Sequence, residues 1–272
     1  MRMRCTSLGG LLVLVAGLAC AHLPAARSEV PLRVMTYNIR SGNGNLTGTA
    51  EAIRALAPDI VALQEVDVHW AERSSFVDQA TVLGQQLRME VRFARIYQFA
   101  GAGEQDPSRE FGIALLTKLP ILGWSNHVIA RLSTQETNPV PTPSPGFLEV
   151  RIDVRGRALR VFDTHLDYRS DPRVRQEQVT EMLAYVSDAS VPTLLLGDLN
   201  AQPDAPEIQP LFERLHDTWP ESAGPGPTYP ADKPIKRIDY VLASKHFRVR
   251  SAFVPVTLAS DHRPVVVDLT LK

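Results

Sequence analysis

The 272-residue sequence predicts a mixed-sheet α/β fold. Three observations carry that expectation. Short apolar runs rich in Val, Ile and Leu recur along the chain and have the length of buried strands. Amphipathic helical patterns separate some of these runs and not others. The order never settles into the strict strand–helix alternation of a purely parallel sheet.

The first 28 residues are set apart as a targeting segment. Met1–Arg4 carries two arginines, Leu8–Ala21 is almost wholly apolar and uncharged, and small residues follow, which is the order of a secretory signal peptide. The apolar run falls short of the ~20 residues that a stable bilayer-spanning helix needs. Small residues suit cleavage after Ala21 or after Ser28. Gly17-Leu18-Ala19-Cys20 also resembles a lipoprotein box with its Leu one place late, so an anchor through Cys20 is the lesser alternative. The expected location is therefore outside the cytoplasm, in the periplasm or beyond. Cys5 and Cys20 both lie in this segment, and the mature chain is left with no disulfide, thiol nucleophile or Cys-ligated zinc.

The remainder, residues 30–272, reads as one domain without repeats or an evident linker. The predicted strands are Leu32–Tyr37, Ile60–Leu63, Gly112–Leu116, Phe147–Val154, Leu159–Asp163, Thr193–Leu196, Ile238–Leu242, Arg248–Val254 and Val265–Leu269. Each is a β-branched or leucine-rich run of strand length. Thr49–Leu56 places Ala52, Ile53 and Leu56 at helical spacing and stops at Ala57-Pro58. Val77–Leu87 and Arg173–Val186 are similar, the latter with Val179, Met182, Leu183 and Val186 on one face. Ser133–Pro145, with prolines at 139, 141, 143 and 145, reads as a surface loop.

Composition narrows the function. With 44% hydrophobic and 22% charged residues the chain is an ordinary globular protein, long enough to bury a core without staples. A formal charge of -1 excludes a strongly basic nucleic-acid binder that works by bulk electrostatics. Loss of Arg2, Arg4 and Arg27 with the signal makes the mature chain more acidic still.

Polar groups recur where predicted strands end. Asn38 follows Val34–Tyr37, Gln64-Glu65 follows Ile60–Leu63, Thr164-His165 follows Arg160–Asp163, and Gly197-Asp198-Leu199-Asn200 follows Thr193–Leu196. Ligand sites in α/β sheets gather at such ends, so these groups are expected on a common rim. Simple alternation puts Glu65 on the face of Val61 and Leu63, and Asn38 on the face of Val34 and Thr36. Asp198 and Asn200 point the same way if their strand continues. An acid and an amide aimed together suit water activation beside oxyanion binding. Taken singly, each has a blander reading: a strand-end acid, a turn, a hydrogen-bonded core histidine. Two further strings, Arg237–Leu242 and Ser260–Val265, weigh against it. Adjacent Asp261 and His262 diverge if extended, so the more distant Asp239 is the better partner for His262, and Asp261 is free for a metal.

Met35–Arg40 (MTYNIR), Leu63–Val66 (LQEV), Thr164–Asp167 (THLD), Gly197–Asn200 (GDLN), Arg237–Leu242 (RIDYVL) and Ser260–Val265 (SDHRPV) together resemble the endonuclease/exonuclease/phosphatase superfamily, in its order, over about Leu32 to Leu269. The resemblance implies a four-layer α/β/β/α sandwich of two packed mixed sheets flanked by helices. It also implies divalent-metal-dependent hydrolysis of phosphate esters with Mg2+ or Mn2+. By the same resemblance Glu65 is the principal metal ligand, supported by Asn38 and Asp261. Asp198 orients or deprotonates water, and Asn200 binds the scissile phosphate. His262, paired with Asp239, is base or charge stabiliser, and His165 contacts a phosphate oxygen or assists the leaving group. Hard oxygen donors of this kind suit magnesium better than zinc.

The resemblance spans nucleases, sphingomyelinases, inositol-phosphate phosphatases and small bacterial hydrolases. Arg73-Ser74 with Asp78-Gln79 close behind, Phe111–Leu116 and RIDYVL look most like the last group. The expected activity is that of an exported phosphodiesterase acting on nucleic acid or lipid headgroups, as a monomer without an obligate protein partner. The alternatives are a phosphomonoesterase of inositol or sugar phosphates and a non-catalytic binding module. Arg73, Arg109, Arg169, Arg173 and Arg175 are potential phosphate clamps, though each alone reads first as a solvated arginine.

Overall fold

The computed structural model describes residues 28–272 apart from Ala102 and Ala189, so the targeting segment up to Arg27, with Cys5 and Cys20, lies outside the described residues. Twelve strands form two six-stranded sheets. The first sheet holds β1 (Val30–Asn38), β2 (Ile60–Val68), β3 (Glu90–Phe99), β4 (Arg109–Thr117), β11 (Phe247–Phe253) and β12 (Val265–Leu271), in the order β11-β12-β1-β2-β4-β3. The second holds β5 (Ile121–Arg131), β6 (Thr142–Asp153), β7 (Ala158–His165), β8 (Thr193–Asp198), β9 (His216–Asp217) and β10 (Asp239–Ala243), in the order β5-β6-β7-β8-β10-β9.

The sheets pack face to face. Val34, Ile60, Ala62 and Leu115 of the first meet Val150, Val161 and Leu196 of the second in one apolar layer. The opposite faces are covered by helices. α1 (Leu46–Leu56) and α2 (Gln79–Leu87) lay Ala50, Ile53 and Leu83 on Met35, Val61 and Leu63. α3 (Arg173–Val186) and α4 (Gln209–Arg214) lay Val179, Met182 and Leu211 on Phe162, Leu195 and Tyr240. The result is a mixed-sheet α/β/β/α sandwich. Among the described residues no helix is long and apolar enough to cross a membrane.

Each sheet contains one parallel pair, β1 with β2 and β7 with β8, and the rest of its ladders are antiparallel. This mixture gathers the functional groups. The parallel strands bring their carboxyl ends to one edge of the sandwich. β10 and β12 run against β8 and β1, so they bring their amino ends there.

Every strand read from the sequence is present, but β3, β5 and β9 were not expected. All three lie at sheet edges. An edge strand has weaker burial, and β3 accordingly interleaves Arg92 and Arg95 with its buried Ala94 and Ile96. The proline-rich loop is also shorter than expected, because β6 begins at Thr142 and includes Pro143 and Pro145. That stretch pairs only with β5, whereas β7 joins β6 from Phe147 onward. The missing N–H groups therefore leave no ladder unfilled.

Candidate active site

β2 contains the local irregularity on which the site depends. Its pairing with β4 shifts between Leu63 and Val66, and Glu65 takes a left-handed φ of 56°. Two residues, Gln64 and Glu65, thus stand against one on β4, as in a β-bulge. Plain alternation would send Glu65 toward the helices with Val61 and Leu63. The bulge instead turns its carboxylate to the rim, where Asn38 Nδ2 donates to Glu65 Oε1 at 3.0 Å. The face expected from alternation is therefore wrong for Glu65. On its other side β4 meets β3 closely at Gly112, where a Cβ would fall 2.1 Å from the Ala94 carbonyl oxygen.

Asn38 is buried and spans the two sheets. The same Nδ2 reaches Asp198 Oδ2 at 3.1 Å, and Asn38 Oδ1 accepts from the Arg40 backbone N–H at 3.0 Å. Just beneath, Gln64 Nε2 donates to Asp163 Oδ1 at 2.7 Å, a second polar tie between the sheets. Burial holds the Asp163 carboxyl well above the usual carboxylate range.

β8 ends at Asp198, and Asn200 sits in a left-handed turn with φ 48°. Continuation of the strand, on which a shared direction was expected, does not occur. The turn nevertheless keeps both residues on the cleft: Asn200 N–H donates to Asp198 Oδ1 at 2.9 Å, and its Nδ2 donates to the Leu166 carbonyl at 3.0 Å. The amide retains a second N–H for a ligand. Gly197 permits the close β7–β8 approach, since a Cβ there would lie 2.1 Å from the Thr164 carbonyl oxygen.

The loop before β12 is pinned to β1 by Ser260 Oγ, which donates to the Asn38 carbonyl at 2.7 Å. It presents Asp261 to the cleft and buries His262. His262 Nδ1 donates to Asp239 Oδ2 at 2.9 Å, which leaves Nε2 3.7 Å from Asp198 Oδ2. His165 Nε2 approaches the same oxygen from β7 at 3.6 Å. Asp198 is thus flanked by two imidazoles. Burial alone would lower the His262 pKa, but the charges of Asp239 and Asp198 outweigh it and raise the value to about 10. Burial, with the Asp239 charge, raises that of Asp198.

These groups line a cleft of about 580 Å³ with Glu65, Asp261, Asn200, Tyr229 and Lys236 among its walls. Tyr229 and Lys236 were missed in the sequence, where neither stands in a string of recognisable spacing. The ring of Tyr229 lies 4.8 Å from that of His262. Four of the proposed arginine clamps are held by carboxylates: Arg73 by Asp67, Arg169 by Asp167, Arg173 by Asp171 and Arg175 by Glu207. Arg109 lies over the Phe99 ring. Arg40 is exposed at the rim with Nε 3.5 Å from Asp261 Oδ2, and of the five arginines above, Arg175 lines the cleft.

The donor set suits a hard divalent cation. Glu65 and Asp261 present half-buried carboxylates to the cleft, and Asn38 fixes the Glu65 carboxylate. Asp198, Asp239 and His262 also bring potential ligand atoms within 4.8 Å of one another. Their mutual hydrogen bond and ion pairs account for that cluster without an ion.

The model of the Endonuclease/Exonuclease/phosphatase family matches residues 35–262. No curated protein matches the chain. Among solved structures, an endonuclease/exonuclease/phosphatase from Beutenbergia cavernae is 29% identical, with a TM-score of 0.71 over 89% of this chain and 72% of that one. The human Nocturnin catalytic domain with bound sulfate is 22% identical, with a TM-score of 0.65 over 90% and 97%. A mannosyl-6-phosphatase of Bacteroides thetaiotaomicron is 16% identical, with a TM-score of 0.60 over 88% and 99%. The latter two likenesses are of fold. The family match begins at Met35 and ends at His262, enclosing every group gathered at the rim, and the chain belongs to the endonuclease/exonuclease/phosphatase family.

Proposed function

We propose that the protein is a divalent-metal-dependent phosphodiesterase acting outside the cytoplasm. The observation that carries the reading is Asp198, buried between His165 and His262 and tied through Asn38 to Glu65. Glu65 and Asp261, with Asn38 as support, would hold Mg2+ or Mn2+. When bound, the cation supplies neutralisation of the phosphoryl charge that otherwise repels a nucleophile.

The chain's own groups then divide the work. Asp198, a buried carboxylate of raised proton affinity, orients a water and takes its proton as the new P–O bond forms. His262 is already an imidazolium below about pH 10, so it serves as a charged donor to the phosphoryl oxygens, with Asp239 fixing the orientation of its ring. The free N–H of Asn200 is a second donor. His165, on the other side of Asp198, protonates the departing ester oxygen as its P–O bond breaks.

Hydrolysis of bis-p-nitrophenyl phosphate by the mature chain, with magnesium, manganese or EDTA, tests this. Activity with either metal and none in EDTA is expected. Undiminished activity in EDTA would overturn it, and cleavage of p-nitrophenyl phosphate alone would replace diesterase by monoesterase. Export rests on residues 1–28, and fractionation of cells carrying the tagged full chain tests it.

A further inference from the structure

A smaller chamber of about 200 Å³ adjoins the catalytic cleft. The two share Glu65, His165 and Tyr168 as walls, so the chamber lies next to where the scissile phosphate would sit. One side is aromatic. Tyr97 and Phe111 line it, with ring centroids 6.1 Å apart and planes within 20° of each other. Trp70 packs against both, at 6.4 and 5.7 Å. The Tyr97 hydroxyl accepts from the Thr134 backbone N–H at 3.0 Å, which fixes the ring. Tyr168 is 64% exposed and stands on the boundary of both cavities.

The chamber also contains an unusual cation. Arg131 lines it and is only 8% exposed, yet it has no ion-pair partner among the described carboxylates. Its guanidinium donates to the carbonyls of Pro145 at 3.0 Å, His165 at 3.1 Å and Gly146 at 2.7 Å. A guanidinium has five N–H groups, so two remain beyond these three bonds.

We propose that this chamber is a specificity subsite for a planar ring rich in hydrogen-bond acceptors, a nucleobase in chemical class. The inference rests on the phosphodiesterase reading above and names its substrate: a nucleoside-bearing phosphodiester. The flat faces of Tyr97 and Phe111 stack on any base. The spare donors of Arg131 match the carbonyl and ring-nitrogen acceptors of a base edge. An aliphatic lipid chain would leave those buried donors without acceptors. The volume admits one ring system and no base pair, so the occupant is a strand end, an unpaired nucleotide or a mononucleotide ester.

The test compares two esters with one leaving group, methyl p-nitrophenyl phosphate and the p-nitrophenyl ester of thymidine 5′-phosphate. The wild type is expected to favour the thymidine ester in kcat/KM by about tenfold or more, the scale of one base stacked on an aromatic ring. The preference should lie mainly in KM. Phe111→Leu should bring the ratio of the two values close to one. Thr134→Trp, which fills the chamber from an exposed loop position on its wall, should do the same. Calorimetry should show thymidine 5′-phosphate binding about tenfold tighter than ribose 5-phosphate. Equal kcat/KM for both esters, or equal binding of the two phosphates, would overturn the subsite. Absence of hydrolysis together with preferential nucleotide binding would overturn the catalytic reading and still support the subsite.

Discussion

Replacing Asp239 by Asn removes one charge from the centre of the site and leaves its shape. The carboxylate oxygen that accepts from His262 Nδ1 at 2.9 Å becomes an amide oxygen that can accept the same bond. What is lost is attraction for the imidazolium. Opposite charges about 4 Å apart at an effective dielectric constant of 20 attract by about 4 kcal/mol, equivalent to about three pKa units. The His262 value, now about 10, should therefore fall to about 7. The sign for stability follows. A histidine whose folded pKa lies above its unfolded value of 6.5 stabilises the fold fully below 6.5 and loses that contribution as pH rises through about 10. Asp239→Asn should thus be less stable than wild type at neutral pH, with the gap closing toward pH 10. Imidazole NMR titration of EDTA-treated protein reads the pKa directly. At pH 9, where a pKa of about 7 leaves about one imidazolium in a hundred, turnover of bis-p-nitrophenyl phosphate should fall about 100-fold, and its alkaline limb should move to lower pH. An imidazole titrating at the wild-type pH in the variant would refute the electrostatic account of this pair. A pKa that falls while the alkaline limb stays in place would refute the imidazolium's role in turnover.

Two further perturbations separate binding from folding. Glu65→Gln should keep the fold, by circular dichroism, and weaken calorimetric Mg2+ or Mn2+ binding by about tenfold or more, the scale on which such sites respond to a lost carboxylate contact; excess manganese should restore part of the activity. Far from the cleft, burial alone would raise the Glu149 pKa, but hydrogen bonds from His127 and Arg160 hold it at about 2, against 4.5 for a free side chain. Its side chain is 12% exposed, so the linkage holds with little solvent screening and amounts to at most about 3 kcal/mol. A depressed carboxylate stabilises above its unfolded pKa and loses that contribution as pH falls, so the deficit of Glu149→Gln in urea unfolding should be full at pH 7 and much smaller at pH 3.

The sequence exposed the sandwich's interior strands and, of its four edge strands, β11 alone, for a physical reason. β1, β2, β4, β6, β7, β8, β10 and β12 are covered on both faces over much of their length, and their apolar runs follow from that. The edge strands β3 and β5 have one free flank, admit residues such as Arg92, Arg95 and Asn126, and lose the continuous run. The rim residues were legible because strand ends combine abrupt polarity with strings of distinctive composition. Tyr229, Lys236 and Arg131 were not, because nothing in their local sequence distinguishes a cleft wall from a loop or an edge.

Glu65 shows why local pattern was insufficient even where the right residue was found. Alternation along β2 assigns it to the helix-covered face, and the parallel register of Tyr37 with Leu63 and Asn38 with Gln64 would then place Glu65 opposite to Asn38. One inserted residue in the ladder reverses that assignment. The reversal costs a left-handed backbone at a non-glycine residue, about 1–2 kcal/mol. The offset is a carboxylate delivered to Asn38 and the cleft, beside the partner groups of three other strands. Sequence periodicity reports where a regular strand would point its side chains. At this rim the chemistry depends on the places where the strands stop being regular: the bulge at Glu65, the left-handed turn at Asn200 and the close approach at Gly197.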